Sequence, residues 1–76
     1  MKQEIKITTP YIQLDQLLKF SGIALSGGEA KEMIFAGIVD VNGVTASERR
    51  KKIYSGDTVI IYADDVTIEL AVTAEE

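Results

Sequence analysis

Residues 26–43, SGGEAKEMIFAGIVDVNG, contain a helix start, a helix stop and a hairpin turn in succession. Ser26 stands three residues before Glu29, which is the Ser-x-x-Glu spacing of a capping box at a helix N-terminus. Gly37 is placed to end that helix, and Asn42-Gly43 supplies the two positive φ angles of a tight hairpin turn. The stretch therefore predicts a capped helix that leads through a short strand into a hairpin.

A first helix is predicted ahead of this stretch, because Leu14, Leu17 and Leu18 fall at helical spacing and Gly22 follows as a stop. The apolar linker at residues 23–25 indicates that the first helix packs against the second one and that the linker is itself packed.

Strands are predicted on both sides of the helices. Ile5 and Ile7 alternate with charged neighbours, residues 58–62 are rich in β-branched side chains, and residues 66–73 alternate apolar and polar side chains. The short segment 44–46 is predicted to pair back as the second arm of the hairpin. All of these elements fit one small domain of 76 residues.

The missing residue types narrow the function. The chain has no cysteine and no histidine, which removes the usual thiolate ligand and the commonest general base. We therefore expect no enzyme activity, no metal site and no cofactor. The N-terminus has no apolar run of signal-peptide length and no segment approaches membrane-spanning length, so we expect a cytoplasmic protein with no membrane partner.

The charge is unevenly distributed along the chain. The net charge is −4, yet residues 1–52 contain all eight basic residues against six acidic ones, a net of +2. Residues 53–76 contain six acidic residues and no basic one. Because association depends on the local field at a binding face, this asymmetry matters more than the total.

The order of the motifs resembles the S4 RNA-binding domain, also called the alpha-L RNA-binding motif, most closely its small stand-alone YaaA-type members. The resemblance covers roughly residues 12–62, and no single motif in it is specific. It rests on these residues in this order: Leu14-Asp15-x-Leu17-Leu18-Lys19, Ser26, Ala30-Lys31, Ile34, Gly37, Val39, Val41-Asn42-Gly43 and Gly56-Asp57-x-Val59.

The resemblance implies an α+β fold in which two short packed helices lie against a small, mostly antiparallel sheet. It also implies that structured RNA, either ribosomal RNA or tRNA, binds along the helix pair and the adjacent hairpin. The RNA-facing positions of the family correspond here to Lys19, Ser26, Lys31 and the basic segment after Asn42-Gly43. The chain departs from the family in its second helix, where Glu29 and Glu32 replace the more usual basic residues.

The basic segment is the strongest chemical feature, since Arg49, Arg50, Lys51 and Lys52 are contiguous cations able to neutralise phosphates. Lys19 and Lys31 are single helix-surface lysines whose assignment depends on position, and Ser26 is first of all a helix cap. Asn42 is first a turn residue that is also able to bond a base or ribose. The tyrosines and phenylalanines are scattered in sequence, so no stacking platform for bases is indicated.

Two other functions compete with RNA binding. The acidic second helix and acidic C-terminal third are also compatible with a protein-interaction adaptor on the same scaffold. A sulfur carrier of β-grasp type shares Val-Asn-Gly and Gly-Asp-x-Val, but it needs a C-terminal Gly-Gly and this chain ends in Thr-Ala-Glu-Glu.

Overall fold

The computed structural model describes residues 1–75 of the chain. Two helices and seven strands follow in this order: β1 (Lys2–Ile7), β2 (Tyr11–Gln13), α1 (Leu14–Phe20), α2 (Gly27–Phe35), β3 (Val39–Val41), β4 (Val44–Thr45), β5 (Lys52–Tyr54), β6 (Thr58–Ala63) and β7 (Val66–Ala74).

Five of the strands form the main sheet, in the order β1-β7-β6-β3-β4. Its strand pairs are antiparallel except for β1 and β7, which run parallel from the pair Lys2 and Glu69 to the pair Ile7 and Ala74. The remaining strands, β2 and β5, form a separate antiparallel pair. The predicted α+β fold, with two packed helices against a mostly antiparallel sheet, is confirmed.

The core lies between the helix pair and one face of the main sheet. Leu14, Leu17 and Leu18 from α1 are fully buried, and Ile34 of α2 is 1% exposed. They pack in one cluster with the inward-facing residues of the strands, which include Val39, Val59, Ile61, Leu70 and Val72. The leucine spacing and the strand alternation therefore selected the buried faces, as predicted.

The stretch at residues 26–43 folds as its sequence predicts. The Ser26 hydroxyl accepts a hydrogen bond from the Glu29 amide at 3.1 Å, so it caps α2, and Gly37 after the helix has a φ of +77°. Asn42 and Gly43 have φ angles of +51° and +84°, as a tight turn of this type requires. The reciprocal half of the capping box, from the Glu29 side chain to the Ser26 amide, is not formed within residues 1–75.

Two predictions about local structure were wrong. The charge run was predicted without a strand, but Lys52 begins β5, which pairs with the equally unpredicted β2. In the linker between the helices Ala24 is buried, whereas Leu25 is 85% exposed, so the linker is packed only in part. Strands β2 and β5 are three residues long and, unlike β3 and β4, are not joined by a recognisable hairpin turn, so their sequences carry too little signal to predict them.

Candidate nucleic-acid interface

The backbone of the basic segment holds the N-terminus of α1. The residue before this helix, Gln13, makes no side-chain cap. Instead the Leu14 amide donates to the Lys51 carbonyl at 2.8 Å, and the Asp15 amide donates to the Arg49 carbonyl at 2.9 Å. Because unpaired first-turn amides are costly when buried, these two bonds fix the basic segment against the helix.

The Arg49 side chain reinforces this attachment. Its Nε donates to Asp15 Oδ2 at 3.2 Å, and the Asp15 side chain is only 5% exposed while that of Arg49 is 36% exposed. The other carboxylate oxygen, Asp15 Oδ1, accepts from the Gln16 amide at 2.8 Å. A buried carboxylate requires such a partner, so the first cation of the predicted RNA-binding run neutralises a charge inside the protein.

Arg49 also lies close to the start of α2, so it is near both helices. Its guanidinium Nη2 is 3.8 Å from the point where a Cβ on Gly27 would stand. Residues four apart lie on the same helix face, so Lys31 stands one turn beyond Gly27, and Lys19 stands one turn beyond Asp15. Helical spacing therefore favours a location of Lys19 and Lys31 on the sides of α1 and α2 near Arg49.

The acidic residues of α2 are turned away from this face. Lys31 follows Gly27 along one face, whereas Glu29 and Glu32 fall on other sides of the helix by the 3.6-residue period. Within residues 1–75 no ion pair includes Lys31, and its Nζ lies 5.7 Å from the Phe35 ring centroid. Glu29 and Glu32, by which α2 departs from the family pattern, therefore do not neutralise Lys31.

A groove separates the hairpin β3–β4 from the basic segment. It has a volume of about 400 Å³ and is lined by backbone and side chains of residues 41–48 together with Lys51. Two predicted site residues, Asn42 and Lys51, meet in this groove, but so does Glu48. The wall of the groove thus combines apolar side chains with one predicted cation and one carboxylate.

The Asn42 side chain is hydrogen-bonded within the protein. Its Nδ2 donates to Asp57 Oδ1 at 3.1 Å, and its Oδ1 accepts from the Thr58 amide at 2.9 Å. These bonds tie the β3–β4 turn to the start of β6. One amide hydrogen is left for another acceptor. Ser26 is likewise engaged, as the cap of α2.

Lys52 lies apart from the groove, on the outer face of the β2–β5 pair. Its Nζ is 4.9 Å from the Tyr11 ring centroid, and the Tyr11 and Tyr54 rings are 5.8 Å apart at an angle of 51°. Tyr11 and Tyr54 are direct partners in the strand register. Although the aromatic residues are scattered in the sequence, this pair meets in the fold, because two unpredicted strands bring together residues 43 positions apart.

The four cations of the run therefore have different surroundings. Arg49 is held by Asp15, Lys51 lines the groove and Lys52 covers a tyrosine ring. Arg50 is exposed, and no ion pair includes it in the part of the chain that the structure describes. Asp15, Tyr11 and Tyr54 are the residues of this region that the sequence did not reveal as part of the site.

Other kinds of site find no support in residues 1–75. No group of three acidic side chains there is arranged to hold a metal ion. No helix in that range has the length and apolar character needed to cross a membrane.

Comparison with known proteins identifies relatives of this chain. A family model described as S4 domain matches residues 5–70, a longer range than the 12–62 of the sequence motifs. Two relatives are each 37% identical over 59 residues, which cover 78% of this chain and 84% of theirs. They are "Putative RNA-binding protein YbcJ" of Escherichia coli and "Uncharacterized protein YbcJ" of Shigella flexneri.

Solved structures share the fold. The solution structure of E. coli YbcJ, reported to reveal an αL motif involved in RNA binding, aligns with a TM-score of 0.64 and 30% identity, over 90% of this chain and 85% of that one. The trimeric structure of Vibrio cholerae heat shock protein 15 aligns with a TM-score of 0.74 but 18% identity, over 87% of this chain and 66% of that one. The motif order, the fold and the family match agree, and the chain belongs to the S4 domain family.

Proposed function

We propose that this protein is a non-enzymatic module that binds structured RNA, either ribosomal RNA or tRNA, through phosphate and shape contacts. The observation that carries the proposal is that Arg49 binds Asp15 on α1 and lies near Gly27 on α2, the positions one helical turn before Lys19 and Lys31. Membership of the S4 domain family and the names of the YbcJ relatives support the choice of RNA as the ligand.

Phosphate binding is assigned to the exposed cations of this face. Lys19, Lys31 and Arg50 are exposed, and Lys51 opens onto the groove. Each phosphate that a cation neutralises releases counterions, which favours binding at low salt. Arg49 is assigned a positioning role, because its charge is used by Asp15, and Ser26 and Asn42 are assigned to holding the helix and the hairpin in place.

The proposal includes recognition of folded RNA by shape as well as by charge. Double-stranded RNA offers a wide, shallow minor groove lined by hydroxyls and flanked by phosphates, and proteins recognise it mainly by shape. The hairpin β3–β4 borders the groove of about 400 Å³, which gives the proposed face a concave surface beside Lys51. Contacts of this type position a protein without reading sequence.

The test is a salt titration of binding to a labelled RNA hairpin, with Arg50→Ala combined with Lys51→Ala. The wild type should lose affinity steeply as salt rises, and the double variant should bind more weakly with a salt slope lower by about two, roughly one for each phosphate that is no longer neutralised. The matched control is Lys2→Ala combined with Lys6→Ala, which removes the same charge from β1 at the opposite edge of the main sheet from β4.

The two double variants separate a local interface from a general charge effect. Equal weakening of binding in both would mean that only net charge matters and would contradict the assignment of the face. Failure of the wild type to bind RNA at low salt would contradict the proposed function itself.

A protein-interaction adaptor is the second candidate, favoured by the exposed apolar side chains Phe20, Leu25 and Phe35. They are 67%, 85% and 60% exposed, so each offers apolar surface to a protein partner. A pull-down with and without nuclease distinguishes this function from RNA binding. A partner that remains after nuclease treatment and is absent with Leu25→Ser supports the adaptor, whereas a partner that disappears on nuclease treatment contradicts it.

A further inference from the structure

The outer face of the β2–β5 pair presents an ordered aromatic pair to solvent. Tyr11 and Tyr54 stand opposite each other in the register, so their rings lie on the same face, while the intervening Ile53 is fully buried on the other face. Tyr11 is 36% exposed and Tyr54 is 48% exposed. The strand pair is therefore held by the buried Ile53 on its inner face, while the two rings are accessible to solvent on its outer face.

Local hydrogen bonds fix this pair. The Tyr54 amide donates to Asp57 Oδ2 at 2.8 Å, and the Tyr54 carbonyl accepts from the Asp57 amide at 3.0 Å. The Tyr11 carbonyl accepts from the Thr9 hydroxyl at 2.8 Å. Because both residues are held by their backbone, binding a ligand on the rings would cost little conformational entropy.

A cation completes the arrangement and connects it to the phosphate-binding face. Lys52 lies over the Tyr11 ring at 4.9 Å, which leaves the Tyr54 ring as the open surface. Lys52 also follows Lys51 directly, so the chain passes from the groove to the aromatic pair within one residue. A basic track beside an aromatic ring is the combination that proteins use to hold an unpaired nucleotide, with the base stacked and the phosphate neutralised.

Resting on the proposed function, we infer that Tyr54, supported by Tyr11 and Lys52, is a stacking site for an unpaired base of the bound RNA. The duplex part of the RNA occupies the helix face and groove, and a loop or bulge base adjoining it stacks on the Tyr54 ring. Lys52 neutralises the phosphate of that nucleotide. The ligand class is thus an RNA stem with a single-stranded loop, in preference to a continuous duplex.

The experiment compares two labelled RNAs of equal charge, a stem with a loop of unpaired uridines and a blunt duplex. The protein variants are Tyr54→Leu, which keeps the apolar bulk but removes the ring, and Tyr62→Leu as the matched control. Tyr62 lies on β6, outside the pair, and is 47% exposed. Tyr54→Leu should weaken binding of the looped RNA about tenfold, as expected for the removal of one stacked base, and leave duplex binding unchanged.

A second variant gives a direct spectroscopic signal. The chain has no tryptophan, so Tyr54→Trp introduces a single tryptophan at the site, and it can be excited selectively over the remaining tyrosines. Its emission should be quenched by the looped RNA, with affinity for that RNA retained, and should not change with the duplex.

The outcomes are distinct. Unchanged binding of the looped RNA by Tyr54→Leu, equal weakening on both RNAs, or no quenching of Tyr54→Trp overturns the stacking site while the proposed function stands. Binding of neither RNA by the wild type overturns the proposed function and the stacking site together.

Discussion

The basic segment at residues 47–52 and the β6–β7 hairpin at residues 58–74 differ in how their charges are held. In the basic segment, side chains and backbone contact other elements: Arg49 binds Asp15 on α1, and Lys52 lies over Tyr11 on β2. In the hairpin, Asp64 and Asp65 form an exposed turn, and no ion pair within residues 1–75 includes either of them. The basic segment is largely irregular but held by other elements. The hairpin is regular, with two of its three charges at a solvent-exposed tip and the third, Glu69, paired with Lys2 on the neighbouring strand.

The difference shows that regular secondary structure is not what orders a binding surface here. The hairpin is stabilised by its own ladder and by burial of Leu70 and Val72, so its turn charges have no structural role. The basic segment makes almost no ladder of its own and is ordered by the helix end it caps. Its charges are consequently presented in a defined arrangement, as a phosphate-binding surface requires.

Arg49→Ala is expected to have the largest effect, and it tests whether a charge of the basic segment is held by contacts to another element. The substitution leaves the Asp15 carboxylate buried with its counter-charge removed, and breaking such a pair costs about 3 kcal/mol of unfolding free energy. Chemical denaturation followed by circular dichroism measures this. The matched control is Arg50→Ala, which removes the same charge from the exposed neighbour and should cost less than about 0.5 kcal/mol. Equal stability of the two variants would refute the positioning role of Arg49.

Asn42 connects the two regions, since it ties the β3–β4 turn to the start of β6. Asn42→Ala removes these bonds and puts an alanine at a φ of +51°, so it should lower the unfolding free energy by about 2 kcal/mol. Asn42→Gly tolerates the positive φ and should cost about 1 kcal/mol, which isolates the side-chain bonds. Thermal unfolding of both variants gives the comparison, and an Asn42→Ala variant as stable as the wild type would contradict the structural role.

The smallest expected effect concerns Glu48, the carboxylate that lines the groove with Lys51. Glu48→Gln removes a negative charge beside the proposed phosphate path and should tighten RNA binding two- to threefold, about 0.5 kcal/mol. Asp65→Asn makes the same charge change at the hairpin tip and should leave affinity unchanged. Fluorescence anisotropy at low salt measures both, and an equal gain in the two variants would show that the groove has no special place in binding.

Local sequence patterns were sufficient to predict the elements whose ends are fixed by their own neighbouring residues. The Ser26 cap, the Gly37 stop and the Asn42-Gly43 turn each act within a few residues, and all three are found as predicted. The alternation in residues 66–73 likewise predicted β7, because a strand with one buried face carries a period of two. The family followed from the order of these same motifs.

Local sequence patterns did not predict the surroundings of the predicted site residues. The N-terminus of α1 is completed by carbonyls of Arg49 and Lys51, more than thirty residues away, so no cap precedes it in sequence. For the same reason the run of four cations was predicted as one uniform feature. The structure divides it among an ion pair, a groove and a tyrosine ring.

The sequence by itself determined the two amphipathic helices, the hairpin at Asn42-Gly43 and the strands at residues 58–62 and 66–73, because hydrophobic period, caps and positive-φ turns are local properties of a chain. Only the tertiary structure decided that β2 and β5 pair, that Asp15 takes Arg49 from the basic run, and that Tyr11 meets Tyr54. Those contacts join residues distant in sequence through burial and charge compensation, which depend on the packed neighbours and leave no periodic signal in the chain.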